Sequence, residues 1–191
     1  MAAAAFAFST AAMAQTTPAA PAKKPAAKPA PAAAPKPAAA SPAAGAALLG
    51  QYGDWGAYSA SPGGKKVCFA LTKPTSALTD PPGRNRDPAY LFISTRPAEK
   101  VKEEVSVIVG YTQKPNVEAS AAIGSASYVM YTQNDGAWIK NAAEEARMVE
   151  ALRKGADVVV KSESSRGTKT TDTYSLKGLD QALSRVAQEC K

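Results

Sequence analysis

The 191-residue sequence contains no histidine. That removes the commonest general base and the commonest zinc ligand, and with them any Ser-His-Asp or Cys-His machinery. Cysteine is scarce: Cys68 and Cys190 are the only two, and their spacing excludes a CxxC redox or metal motif. There is no GxxxxGK[ST] phosphate loop and no GxGxxG run. Gly124-Ser125-Ala126-Ser127-Tyr128 starts like a nucleophile elbow, but Tyr128 stands where the last glycine belongs, so it reads as an ordinary strand entry. No SxxK spacing supports a Ser-Lys dyad. Asp80, Asp87, Glu99, Glu103 and Glu104 supply carboxylates, yet nothing singles out two of them for glycoside work. No stretch approaches the roughly 20 apolar residues of a membrane helix. The expectation is a protein that is not an enzyme, with no cofactor and no metal.

The first 46 residues also lack any acidic side chain. They are almost entirely Ala, Pro, Lys, Ser and Thr, and all 16 acidic residues lie downstream. Lys23, Lys24, Lys28 and Lys36 sit in this stretch, so the remainder holds 19 basic against 16 acidic residues and is only mildly basic. Charges there are mixed in sign rather than clustered with aromatics, which argues against a nucleic-acid partner.

What is present begins with an apolar run from Ala2 to Ala12 that ends in Ala12-Met13-Ala14 before Gln15. This small-x-small pattern is the one read by signal peptidase. Residues 1–14 are expected to be a signal peptide cut between Ala14 and Gln15, although the usual basic n-region is missing. Residues 15–46 carry Pro every few positions, from Pro18 to Pro42. Proline removes backbone donors and favours extended geometry, so this stretch reads as a solvated spacer. Its lysines could also rest weakly on an anionic envelope surface, an attraction that salt would screen.

Residues 47–191 read as one domain. Alternation or compact β-branched and aromatic runs predict strands over 65–71, 89–95, 105–109, 126–131, 137–139, 157–161 and 169–176. Residues 74–88 read as a polar loop, and Asn134-Asp135-Gly136 as a hairpin turn. Asn141 with Glu144 predicts a capping box for a helix whose apolar stripe is Ala142, Ala146, Val149 and Leu152, stopped at Gly155. A last helix over 178–190 puts Leu179, Leu183, Val186 and Cys190 on one face. Seven or eight strands with two helices predict a mainly β, sandwich-like domain, with α+β as the alternative.

In an oxidising compartment Cys68 and Cys190 would form one bridge; otherwise they are two buried thiols. The export signal favours the bridge, which would close a loop of over a hundred residues. Trp55 and Trp138 each follow a Gly-Asp or Asp-Gly element, so they are either core anchors or exposed rings for a carbohydrate or partner. Arg84 and Arg86 share a loop able to contact an anionic partner or simply to connect strands. These four residues form the candidate binding surface.

Several segments together resemble one family. Gly53-Asp54-Trp55, a Cys a dozen residues later, the run Asp87-Pro88-Ala89-Tyr90-Leu91-Phe92-Ile93-Ser94-Thr95-Arg96-Pro97, and Ser175-Leu176-Lys177-Gly178-Leu179 before a helix ending in Cys are similar to the invasion-associated locus B family. The resemblance spans residues 53–190. It implies an exported periplasmic or envelope protein of alphaproteobacteria, a β-sandwich-like fold, and in pathogenic members a link to host-cell invasion. It supplies no catalytic residues. The expected function is a non-enzymatic binding module with envelope or host proteins as partners. The rivals are a structural or chaperone-like envelope factor and, least, an atypical hydrolase.

Overall fold

The computed structural model describes residues 45–191. The expected signal peptide, its Ala14/Gln15 cleavage point and nearly all of the 15–46 spacer lie outside the described residues. The described chain builds eleven strands: β1 Ala47–Tyr52, β2 Trp55–Ala60, β3 Val67–Thr72, β4 Ser76–Asp80, β5 Tyr90–Arg96, β6 Val101–Ile108, β7 Ala119–Ile123, β8 Ala126–Gln133, β9 Gly136–Ile139, β10 Asp157–Glu163 and β11 Lys169–Ser175. Two α-helices accompany them, α1 Glu145–Lys154 and α2 Leu179–Glu189. All strands join one antiparallel sheet in the order β1-β2-β3-β5-β6-β9-β8-β7-β10-β11-β4. The fold is mainly β and sandwich-like, as the sequence predicts.

Hydrogen bonds tie one end of this sheet to the other. The Trp55 indole N–H donates to the Ser175 carbonyl at 2.9 Å, and Asp54 N–H to Lys177 O at 3.1 Å. The sheet therefore curls until the start of β2 approaches the end of β11. Its inner face holds the main core, where Trp55, Leu91, Ile93, Val105, Val107, Met130, Val158, Val160 and Tyr174 meet both helices. Alternation along each strand is what places these residues on one side.

The helices enclose that core with narrow apolar stripes. On α2, Leu179, Ala182, Leu183 and Val186 are buried, and Cys190 follows on the same face. On α1 the buried residues are Met148, Val149 and Leu152. Ala142 and Ala146, expected in that stripe, are exposed, because Ala142 lies in a preceding 3₁₀ turn that shifts the helical phase. Asn141 does cap this turn, accepting the Ala143 N–H at 3.2 Å. The glutamate bound to a backbone N–H is Glu145 rather than Glu144, and its donor is Val105 of β6 at 2.9 Å. Gly155 ends α1 in extended geometry, where a Cβ would meet Ile123 Cγ2 at 2.8 Å, so close packing rather than a left-handed turn requires the glycine.

Cys68 and Cys190 are disulfide-bonded, with Cα atoms 5.9 Å apart across 122 residues of sequence. The bridge fastens the end of α2 to β3, near the middle of one half of the sheet.

Candidate functional site

The outward face of the sheet is the most distinctive surface. Strand register sets its residues in rows. Tyr58 lies opposite Phe69, and Leu71 opposite Phe92. Phe92 lies opposite Ser106, Ser106 opposite Trp138, and Trp138 opposite Tyr131. Six neighbouring strands thus contribute to one band, about 24 Å along the sheet at roughly 4.8 Å per strand step.

The rings form two groups. Phe69 stacks on Tyr58 at 5.4 Å between centroids and meets Phe92 at 5.8 Å, while Phe92 meets Tyr90 at 6.1 Å. Across Ser106, Trp138 stacks on Tyr131 at 5.6 Å. Offset and tilted contacts at these distances suit the ring quadrupoles and fix the rings against each other. Phe69, Leu71 and Tyr90 are buried by this mutual packing, forming a second apolar cluster on the side of the sheet away from the main core. At the borders of the band Leu48 (58% exposed), Val129 (43%) and Tyr131 (45%) remain open to solvent. The exposed apolar residues thus stand at the two ends of the band, with the packed rings between them, and exposed apolar side chains beside an aromatic cluster are a feature of interaction sites.

Polar groups edge the band. The Lys73 ammonium lies 5.7 Å from the centre of the Tyr90 ring, a cation–π arrangement. Tyr58, Leu71, Tyr90, Gln51 and Lys73 line a cleft of about 360 Å³ at the β2-β3 end. Thr72 on its wall donates to the Asp54 carbonyl at 2.7 Å. Arg96, farther along β5, is held by Glu104 through paired bonds of 3.0 Å and by Glu99 at 2.7 Å, so its charge is met within the fold. Those bonds raise its pKa, Glu104 foremost.

The four residues predicted as a binding surface separate. Trp55 is fully buried and its N–H is satisfied by Ser175, so it anchors the core and presents no ring to a partner. Trp138 is half-buried and belongs to the outer band. Arg84 is exposed, and lines a cleft of about 470 Å³ with Lys73. Arg86 is committed elsewhere: it grips Asp172 with both terminal nitrogens, one at 2.8 Å, and donates to Val109 O at 2.9 Å. Burial alone would lower the Arg86 pKa, but the hydrogen bond and charge of Asp172 outweigh it and the net shift is upward. The Arg84/Arg86 loop is therefore pinned at one arginine and open at the other.

The Arg86–Asp172 pair belongs to a polar layer at one end of the interior. The Tyr111 hydroxyl shares a 2.6 Å bond with Thr170, Gln113 donates to Gly136 O at 2.6 Å, and Ser162 donates to Gln113 at 2.5 Å. The Tyr174 hydroxyl is buried with no hydrogen-bond partner among the described residues, and burial pushes its pKa far up. Among the carboxylates weighed from the sequence, Glu99 and Glu104 bind Arg96 and Glu103 binds Arg153. Among the described residues no group of three His, Cys, Asp or Glu is placed to hold a metal ion.

The band itself was not evident from the sequence. Tyr58, Phe69, Phe92 and Tyr131 look like core residues of buried strands. The available signal was apolar side chains on both phases of 67–71 and 90–93, which means two apolar faces rather than one.

The sequence model of the Invasion associated locus B (IalB) protein family matches residues 55–187. The chain belongs to the IalB family. The matched stretch carries every ring of the outer band, together with Cys68, while β1 and Cys190 fall outside it. No curated protein and no solved structure matches the chain. Within this IalB domain, then, the framework residues are Trp55, Cys68 and Arg86, and the accessible ones are Trp138, Tyr131 and Arg84.

Proposed function

We propose that this IalB protein is an exported, envelope-associated binding module without catalytic chemistry, and that it engages its partner through the outer aromatic band. The carrying observation is the row of outward-facing rings over six strands, in two groups either side of Ser106, with Tyr131, Val129 and Leu48 open at its borders. Aromatic side chains give large contact area at low entropic cost, which is why they dominate binding hot spots. The Ala12-Met13-Ala14 cleavage pattern and the Cys68–Cys190 disulfide support passage into an oxidising compartment. The family's description supports a link to invasion, with envelope or host proteins as the partners. The lysines of the 15–46 stretch add a weak attraction to anionic envelope surfaces.

The test is recovery of partners from envelope fractions by the intact protein and by Tyr131→Ser and Tyr58→Ser variants. Selective partners that are lost with both variants support the reading. Recovery unaffected by either substitution overturns it. The same band would also suit a chaperone-like role, since exposed apolar surface holds unfolded segments. Suppression of aggregation of unrelated denatured proteins would show that second reading, whereas a selective partner would show the first.

A further inference from the structure

A second site lies away from the aromatic band, in the groove between α2 and the turn that enters β6. Pro97, Val101 and Ala187 give it accessible apolar surface, with Leu183 and Val186 almost fully buried beneath them and the Cys190 end of the disulfide beside them. Lys100 and Lys102 stand exposed at its edge, and neither has an ion-pair partner among the described residues. The carboxylate beside them, Glu103, is neutralised by Arg153 at 2.7 Å. The groove therefore joins an apolar lining to an edge of net positive charge.

The backbone is strained at the same place. Lys100 (φ 57°) and Glu103 (φ 54°) are two of only four non-glycine residues with positive φ among those described. The β5-β6 register slips between them, so β6 bulges opposite Ser94–Arg96. Such a bulge re-aims side chains, and strain kept in this way is characteristic of sites with a task.

We propose that this groove binds the alkyl chain of a single-chain anionic amphiphile, with Lys100 and Lys102 holding the head group. The charge of the edge selects an anion and the apolar lining selects a chain. The cleft, about 370 Å³ and open to solvent along one side, is of a size to take an alkyl chain rather than a bulky ring system. Chain and head bind together here. A short anion would lack the apolar contact, and an uncharged amphiphile would lack the lysines.

Calorimetric titration of the full chain with fatty acid anions, each kept below its micelle-forming concentration, tests this. Affinity should rise about three- to fourfold per added methylene from octanoate to dodecanoate. Lys100→Gln combined with Lys102→Gln should weaken dodecanoate about five- to tenfold. Ala187→Glu, on an exposed helical position within the groove, should abolish binding while circular dichroism stays unchanged. Dodecyl maltoside binding as tightly as dodecanoate would overturn the proposal, and so would full dodecanoate affinity in the folded Ala187→Glu variant.

Discussion

Arg86 and Asp172 face each other across 86 residues of sequence, in a two-point contact that leaves the Asp172 side chain 1% exposed. A guanidinium and a carboxylate match in geometry, but both lose water on burial, so the pair is worth most when neither partner is missing. Asp172→Ala strands the Arg86 charge and should cost about 3–5 kcal/mol in urea unfolding. Adding Arg86→Met should recover much of that loss. A double variant as unstable as the single one would contradict this account.

The disulfide gives a second prediction. Closing a loop of 122 residues contributes at most about 5 kcal/mol in the chain-entropy picture. Replacing Cys68 and Cys190 by Ala should lower the urea midpoint accordingly, and reductant should shift the wild type but leave the variant unmoved. The loss should fall first at the end of α2. Amide exchange at residues 186–189 should quicken before exchange in β5.

The two tryptophans should report their different positions. Trp138→Phe leaves Trp55, whose emission should be blue-shifted and poorly quenched by acrylamide. Trp55→Phe leaves Trp138, which should emit to the red and quench readily. The half-buried site on β9 and the sealed one on β2 predict opposite behaviour from substitutions of the same size.

Glu145 sets a pH dependence. Burial raises its pKa, opposed by the Val105 N–H, which favours the carboxylate. With the folded value above the unfolded one, the native state holds the proton more tightly. Stability from this group is thus present below the unfolded pKa and lost as pH rises through the folded one. Glu145→Gln keeps an acceptor for Val105 and removes the titration. The variant should be the more stable form at neutral pH and should show a flatter profile just above the ordinary carboxylate range. Glu189 has the opposite sign, because bonds from Lys66 and Arg185 lower its pKa. Its contribution is lost as pH falls through that lowered value.

Much of this architecture can be read from local pattern. Val158-Val159-Val160 announces a buried strand, and the spacing of Leu179, Leu183, Val186 and Cys190 places the second cysteine against the core. Four strands escape because their residues carry little periodic signal. Ala47–Tyr52 begins in alanine like the stretch before it, Trp55–Ala60 is a short run of mostly small residues, Ser76–Asp80 is a largely exposed edge, and Ala119–Ile123 is mostly alanine. These strands are held by neighbours distant in sequence, and that information is not local. The candidate site fared likewise. The sequence left Trp138 as either a core anchor or an exposed ring, and it is half-buried on the outer face, whereas Arg86 was not legible as structural, because its partner lies on a strand 86 residues away.

The position of the bridge has a mechanical consequence. Cys190 follows α2 directly, so a pull on the chain beyond it passes through the covalent bond into β3, which is flanked by β2 and β5. A pull on the chain ahead of Ala47 instead loads β1, an edge strand paired only with β2. Force applied there opens the β1-β2 ladder one pair at a time, starting from Ala47 and Ser59. A molecule held by its N-terminal stretch while its domain grips a partner would therefore yield by unzipping β1 first, with the aromatic band on the remaining strands still assembled.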